Sequence, residues 1–411
     1  MDKRKVFLWS LYDFANSIPN VVFFLYFSQW LVIEHGVSDF WYNMIFFGSS
    51  VLLLFSTPIA GILADHINVR KPFIFWSSIV QIFALGIAAV IAMFAESSSA
   101  VLYSAIAYLI GIYAYQFSLV FYDALLPDIA PPEKQGFASG IGQFANWFGQ
   151  VIGIFAVVAF ASGAWVLFGT PGRTQTLLPS VILMLIFALP LMLWYREKTV
   201  RRPKTIKLTR EYRGIIARFK ELIKIPGVGR YLLAFFLFND ALLTSANNFP
   251  IYLEQVFHVS DLFKSLLLVG ILLTSALGGG LGGWIADKVG LKKTLLFILG
   301  CWISIFPILA ATTNIIWFSV FVIIMGFLYG ATWAVCRAVM AALVPNEQLN
   351  HAFSYYALAE RFSTFMSPLS WGIIVTVFAY AGAVRYQLAM LVLTIFIVVG
   401  YLIVRKIPIV R

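Results

Sequence analysis

The sequence predicts an all-α membrane protein: twelve transmembrane helices in two six-helix bundles, with both termini cytoplasmic. Three observations carry this expectation. The 411 residues are 61% hydrophobic and 11% charged, with a mean hydropathy of +0.89, whereas a soluble domain carries about 25% charged residues. A water-facing surface cannot hide that much apolar side chain, because the buried fraction of a domain is limited by its size. The apolar residues also fall in runs of the length that crosses a bilayer, about 20 residues each. Finally, landmarks of the first half return in the second half at similar offsets.

Read in units of that length, spans are expected near 7–33, 43–64, 74–94, 100–125, 138–162 and 176–195, and then near 231–256, 264–287, 293–312, 315–343, 351–378 and 384–404. The first run follows Met1-Asp2-Lys3-Arg4-Lys5 directly and is too long for the apolar region of a signal peptide, so it is expected to stay as a helix. Trp9, Trp30, Trp41, Trp76 and Trp194 fall near span ends, where interfacial belts would place them.

The formal charge of +11 does not imply nucleic-acid binding, because the basic residues sit in short breaks between apolar runs. Placing both termini in the cytoplasm gathers 24 of the 29 Lys and Arg on that side, as the positive-inside rule requires. The domains expected are an N-terminal bundle over 1–195, a basic cytoplasmic linker over 196–230 and a C-terminal bundle over 231–411. Within the linker, Leu208, Tyr212, Ile215, Ile216, Phe219, Leu222 and Ile223 recur at helical spacing among Arg and Lys. That pattern predicts an amphipathic helix lying on the membrane surface. The two cysteines imply neither a disulfide framework nor a metal site, and no cofactor is expected.

The halves repeat. Ile62-Leu63-Ala64-Asp65 with Arg70-Lys71 returns as Trp284-Ile285-Ala286-Asp287 with Lys292-Lys293. Asp13 has a counterpart in Asp240, and Ser17 and Asn20 align with Thr244 and Asn247. Leu126-Pro127 and Val344-Pro345 close the fourth and tenth spans. Six is an even number of crossings, so a duplicated six-helix unit keeps its orientation.

The loop after span two, from Gly61 through Asp65 to Arg70 and Lys71, resembles the Gly-x-x-x-Asp-x-x-Gly-Arg-Lys signature of the major facilitator superfamily, with Asn68 at the second glycine. Gly283, Asp287, Gly290, Lys292 and Lys293 form the second copy. The glycine lets helices approach, and the aspartate can latch onto basic groups or a neighbouring helix N-terminus. Asp123, at the end of span four, is the expected latch partner for Arg70. Leu11-Tyr12-Asp13-Phe14-Ala15-Asn16-Ser17 resembles the opening motif of the vacuole-effluxer branch, named for fungal vacuolar amino-acid exporters. Phe121-Tyr122-Asp123-Ala124-Leu125-Leu126-Pro127-Asp128, Ser139-Gly140 and Arg337 with Leu343-Val344-Pro345 agree with it. Where that branch has Gln-Ala-x-Ser-Arg-Ser, this chain has Trp333-Ala334-Val335-Cys336-Arg337-Ala338. The resemblance also implies that spans five and eight face each other across the halves, which would explain Gly140, Gly142, Gly149 and Gly153 on one and Gly270, Gly278, Gly279, Gly280, Gly282 and Gly283 on the other.

Ionisable groups inside lipid are costly and mark function. Asp13 and Asp240 lie on spans one and seven, which line the cavity by resemblance. Asn16 and Asn20 accompany the first, Asn247 and Asn248 the second, and Pro19 and Pro250 interrupt the same helices. These residues are expected to bind substrate or a proton, with Asp13 equally readable as a conformational latch. Arg337 on span ten suits an anionic group, while Glu360 and Arg361 on span eleven could bind substrate or neutralise charge.

The resemblance implies a secondary active transporter, working by alternating access and coupled to protons, that moves an amino acid or related small organic solute. Export of apolar or amphiphilic compounds is the alternative, and an intramembrane enzyme or a channel a more distant one. The chain has no Gly-x-x-x-x-Gly-Lys-Ser/Thr loop for a nucleotide and no paired histidines. The expected partners are a small-molecule substrate, lipids and protons, with no nucleic acid. The expected setting is a monomer in a bacterial cytoplasmic membrane.

Overall fold

The computed structural model describes residues 2–67, 69–131, 134–197, 217, 219–345 and 349–408, without the side chains at 65, 66, 135–137, 349–351, 354, 357 and 361. The regular structure among them is helical. The first half comprises α1 (Lys3–Val22), α2 (Asp39–Ile67), α3 (Lys71–Met93), α4 (Ser98–Asp123), α5 (Gln135–Ala161) and α6 (Leu177–Trp194). The second comprises α7 (Val228–Phe257), α8 (Asp261–Val289), α9 (Leu291–Ala311), α10 (Ile315–Leu343), α11 (Leu349–Phe362), α12 (Met366–Val377) and α13 (Val384–Arg405). Ten helical stretches among the described residues are long and apolar enough to cross a membrane. The 30-residue α7 is not one of them; Asn239, Asp240, Asn247, Asn248 and Glu254 dilute its apolar character.

The helices begin where side chains can take the free N–H groups of a first turn. Asp2 accepts from Arg4 and Lys5, Ser97 from Ala100, Ser260 from Phe263, and Asn314 from Ile316 and Trp317. At the other end of α8, Gly290 stops the helix at φ +105°, a conformation that side chains other than glycine's rarely adopt. Span one does not continue as a regular α-helix. It carries Pro19 and widens into π-helical turns at Phe23–Phe27 and Trp30–Glu34.

The expected eleventh span, 351–378, is divided. α11 ends at Phe362, α12 begins at Met366, and Ser363–Phe365 joins them. Pro368 supplies part of the reason, since in a continuous helix its ring would meet the carbonyl of Thr364 and its missing N–H would leave a gap. Proline alone is insufficient, because α7 runs through Pro250 and α9 through Pro307. The decisive element is the carboxylate of Asp240, described below.

The chain forms two compact units, Met1–Val37 with Val51–Tyr212, and Ser38–Ser50 with Arg213–Arg411. The start of α2 therefore clusters with the second unit. Inside the first, α1 packs on α5 and α6, α3 packs on α4, and α3 also meets α6. Inside the second, α7 packs on α11, α12 and α13, while α9 packs on α10 and α13. Spans one and seven, and spans three and nine, choose corresponding partners, as a duplicated unit would.

Glycine sets the closest of these contacts, but within each unit. A Cβ at Gly149 would overlap Ser17 Oγ and the Phe14 carbonyl of α1, and one at Gly153 would press on Ile18. Gly278 and Gly282 of α8 meet Phe327 and Ala331 of α10, whose Gly330 in turn meets the Ser275 carbonyl. Gly140, Gly280 and Gly283 have nothing within 4 Å. The close contacts are the tight packing of α1 on α5 and of α8 on α10, where small residues let backbones approach.

Trp41, Trp76 and Trp194 are exposed, as an interfacial belt requires, but Trp9 and Trp30 are core residues. Trp9 stacks on Tyr122 at 4.5 Å and donates its indole N–H to the Tyr122 carbonyl; Trp30 packs on Phe27 and His35. Most of the expected surface helix in the linker lies outside the described residues. In its described end Leu222 is buried, while Phe219 packs on Tyr355 and stays 39% exposed.

Candidate functional site

In the first unit, Asp13 is buried and accepts a hydrogen bond from Asn146 Nδ2 at 2.8 Å, and Gln150 Nε2 donates to Asn146 Oδ1 at 2.8 Å. The spacing of four places Asn146 and Gln150 one above the other on α5. Beside them, Tyr12 shares a 2.6 Å hydrogen bond with Ser78, and Asn16 is buried with its Nδ2 on the Tyr12 carbonyl. Asn20 is half-buried. Asn146 and Gln150 were missed because amides were sought only beside the aspartates of spans one and seven; two amides a turn apart in an apolar span were the available signal.

In the second unit, Asp240 caps the broken span. Its Oδ1 accepts from Phe365 N at 3.2 Å, and its Oδ2 from Met366 N at 3.0 Å and Ser367 N at 2.8 Å. Neighbouring Asn239 donates to Ser363 Oγ at 2.5 Å, and that hydroxyl donates to the Glu360 carbonyl at 2.7 Å. Thus α7 supplies from the side the cap that the start of α12 lacks in its own sequence. Asp13 and Asp240 are duplicates with duplicate partners: each bonds to the fifth span of its half, one through an amide side chain and one through backbone N–H groups.

Arg337 of α10 and Glu360 of α11 both act electrostatically on Cys336 and Tyr356. Tyr329 packs edge-on against Trp333 at 4.2 Å, and Tyr356 stacks on Phe235 at 4.4 Å. Trp333 Nε1 and Tyr356 OH are buried without a hydrogen-bond partner among the described residues. The Arg361 side chain lies outside the described residues.

Asn247 and Asn248 engage the start of α2. Tyr42 OH donates to the Asn247 carbonyl at 2.9 Å, and the amides of Asn43 and Asn248 exchange hydrogen bonds of 3.0 and 2.9 Å.

The signature loops are anchored within their own units. Glu197, just past α6, accepts from Arg70 N at 2.7 Å and Lys71 N at 2.8 Å, capping α3, while Lys71 Nζ donates to the Leu193 carbonyl. In the second copy Lys292 Nζ donates to the Ile407 carbonyl just past α13, at 2.6 Å. A basic residue of each copy thus ties the loop to the end of the sixth span. Gly61, Gly283, Asp287, Lys293 and Asp123 are half-buried or exposed at these helix ends, and the Asp65 side chain lies outside the described residues. Close by, Asp128 joins Lys5 at 2.8 Å and Tyr195 OH at 2.9 Å.

No group of three or more His, Cys, Asp or Glu that could hold a metal is present among the described residues. The sequence model of the Major Facilitator Superfamily matches residues 9–274 and 241–410. The chain belongs to this superfamily.

It is 22% identical over 383 residues to YxiO of Bacillus subtilis, an uncharacterised MFS-type transporter, covering 88% of this chain and 86% of that one. It is 24% identical over 294 residues to Autophagy-related protein 22 of Yarrowia lipolytica, a match spanning 58% of this chain and 45% of the fungal protein. Among solved structures, a bacterial homologue of the human lysosomal transporter Spinster, inward-facing and unoccupied, superposes with a TM-score of 0.75 at 17% identity, covering 99% and 98% of the two chains. The D-xylose-proton symporter superposes at 0.67, with 17% identity and coverage of 96% and 95%. Membership makes the chain an integral, multi-pass membrane transporter of small solutes rather than an enzyme.

Proposed function

We propose that this facilitator moves a zwitterionic solute, an amino acid or a close relative, by proton-coupled alternating access. The observation that carries the reading is the pair Arg337 and Glu360, opposite charges that act on the same two side chains, Cys336 and Tyr356. A guanidinium suits a carboxylate, and the unpartnered Trp333 N–H and Tyr356 O–H are further donors for such a group. Glu360 suits an ammonium. The aromatic rings of Tyr329, Trp333 and Tyr356 offer apolar faces to a side chain. Similarity to Autophagy-related protein 22 supports the family branch from which the solute class was first read.

The remaining architecture is proposed in the same sense: twelve spans, with α11 and α12 together making the eleventh, both termini in the cytoplasm, and a monomer in a bacterial cytoplasmic membrane. The distribution of Lys and Arg supports the orientation, and the relative from Bacillus subtilis supports the setting.

Purified protein in proteoliposomes tests the reading. Radiolabelled amino acids are expected to accumulate when a pH gradient is imposed and to equilibrate without one. Absence of uptake across the proteinogenic amino acids, with uptake of another solute class, would replace the substrate assignment. Accumulation indifferent to pH would remove the coupling.

A further inference from the structure

The start of α2 carries a carboxylate that the sequence reading passed over. Asp39 opens the helix and is 4% exposed. Its Oδ2 accepts a hydrogen bond from Tyr386 OH at 3.1 Å, and Arg385 Nη2 donates to the same Tyr386 oxygen at 3.2 Å. Its Oδ1 is buried and has no hydrogen-bond partner among the described residues. Trp371 Nε1 and Arg385 Nε, on the helices packed nearby, are likewise buried without one. Phe40 lies so close to α12 that a Cβ on Gly372 would overlap its backbone, which closes the site from that side.

A carboxylate oxygen withheld from both water and donors carries an unrelieved charge cost. The three buried carboxylates among the described residues differ in this respect. Asp240 is saturated by three backbone N–H groups, and Asp13 is held by Asn146. Of the three, Asp39 has a buried oxygen with no hydrogen-bond partner among the described residues. The charged and titratable groups acting on it are Tyr386 and Arg385, both from α13. From α12 and α7 the nearby polar groups are Trp371, Asn247 and Asn248, all neutral.

We propose that Asp39 is a proton-binding site, its Oδ1 taking one proton from water and giving it back as the start of α2 docks on and leaves α7, α12 and α13. Docking is held by Asn43 with Asn248, by Tyr42 with Asn247 and by a 2.6 Å contact between Ser50 and Thr364 hydroxyls. Docked, a proton on Oδ1 spares the enclosed carboxyl a buried charge that no donor meets; undocked, the group is open to water. By linkage the proton and the docked arrangement stabilise one another. The proposal rests on the proton-coupled reading above for its role in transport, but the site itself can be tested without any solute.

Infrared difference spectra of the wild-type protein in lipid, stepped over about pH 4 to 8, are expected to show the carbonyl stretch of a protonated carboxylic acid appearing on acidification. That band should vanish in Asp39→Asn and persist, shifted, in Asp39→Glu, which confirms that the site tolerates substitution. A titrating band unchanged in Asp39→Asn, or none in the wild type, overturns the proposal. In proteoliposomes, one coupled proton across one pH unit supports about tenfold accumulation, and Asp39→Asn should abolish that ratio while solute exchange persists. A wild-type protein with the Asp39 band but no pH-driven uptake would keep the site and remove the coupled-transport reading.

Discussion

Ser367 N–H lies 2.8 Å from Asp240 Oδ2, so a carboxylate on the seventh span closes the helix start of a neighbouring one. With the bonds from Phe365 and Met366, this makes Asp240 the cap of α12. A charge-assisted bond of this kind is worth about 1.5–3 kcal/mol. Asp240→Ala should therefore lower the thermal unfolding midpoint markedly, by a loss of about 3 kcal/mol or more. Asp240→Asn, which keeps one acceptor oxygen, should lose less. Equal stability of all three forms would show that the break in span eleven does not depend on this carboxylate.

Arg337 can be separated from a simple cation by conservative replacement. Arg337→Lys keeps the charge but loses the planar fork, and should raise the half-saturating amino-acid concentration about tenfold or more. Folding, followed by circular dichroism and size-exclusion profile, should be retained. Unaltered uptake in Arg337→Ala would remove Arg337 from the substrate site.

Lys264 is buried between Glu254 and Asp261 at the turn joining α7 to α8. The structure makes it the centre of an ion triad. Lys264→Met leaves two carboxylates facing each other and should cost about 3–5 kcal/mol, read as a fall in unfolding temperature. Adding Glu254→Gln should recover part of the loss, and no recovery would show that the two sites are uncoupled.

Two glycine classes should respond oppositely to added bulk. Gly149→Val and Gly330→Val place methyl groups where Ser17 and Ser275 already sit, and should cost about 1–3 kcal/mol or prevent folding. Gly280→Ala meets open space and should be neutral or slightly stabilising, because alanine is the better helix former. Folded yield and unfolding temperature in one detergent decide both.

The phenol of Tyr195 is held well above the ordinary tyrosine range by burial and then by the charge of Asp128, to which it donates. A group whose folded pKa is raised stabilises the fold fully below its unfolded pKa and loses that contribution as pH climbs. Stability should thus fall above about pH 10, and Tyr195→Phe should blunt that alkaline loss. An identical alkaline profile would assign it to other groups.

How much was legible can be judged residue by residue. The duplicated Gly61 and Gly283 loops, the basic breaks and the positions of α2 to α10 follow from apolar run length and charge, both one-dimensional properties. Span eleven read as continuous, because its apolar content is unbroken across Ser363 and the cap that breaks it sits more than 120 residues earlier in the chain. Asp39 escaped notice because a carboxylate at a span start resembles an ordinary interfacial one. Its burial depends on Phe40 meeting Gly372 and on Tyr386 reaching it from α13.

By itself, then, the sequence determined the solvent, the helical class, the repeat and the superfamily, since these depend on hydropathy and on local motifs. Only the tertiary structure decided which polar side chains are satisfied and which are stranded. Asp13, Asp39 and Asp240 are the same residue type in apolar surroundings, and what separates a tethered carboxylate, a helix cap and an orphaned oxygen is the set of donors that distant helices bring to each.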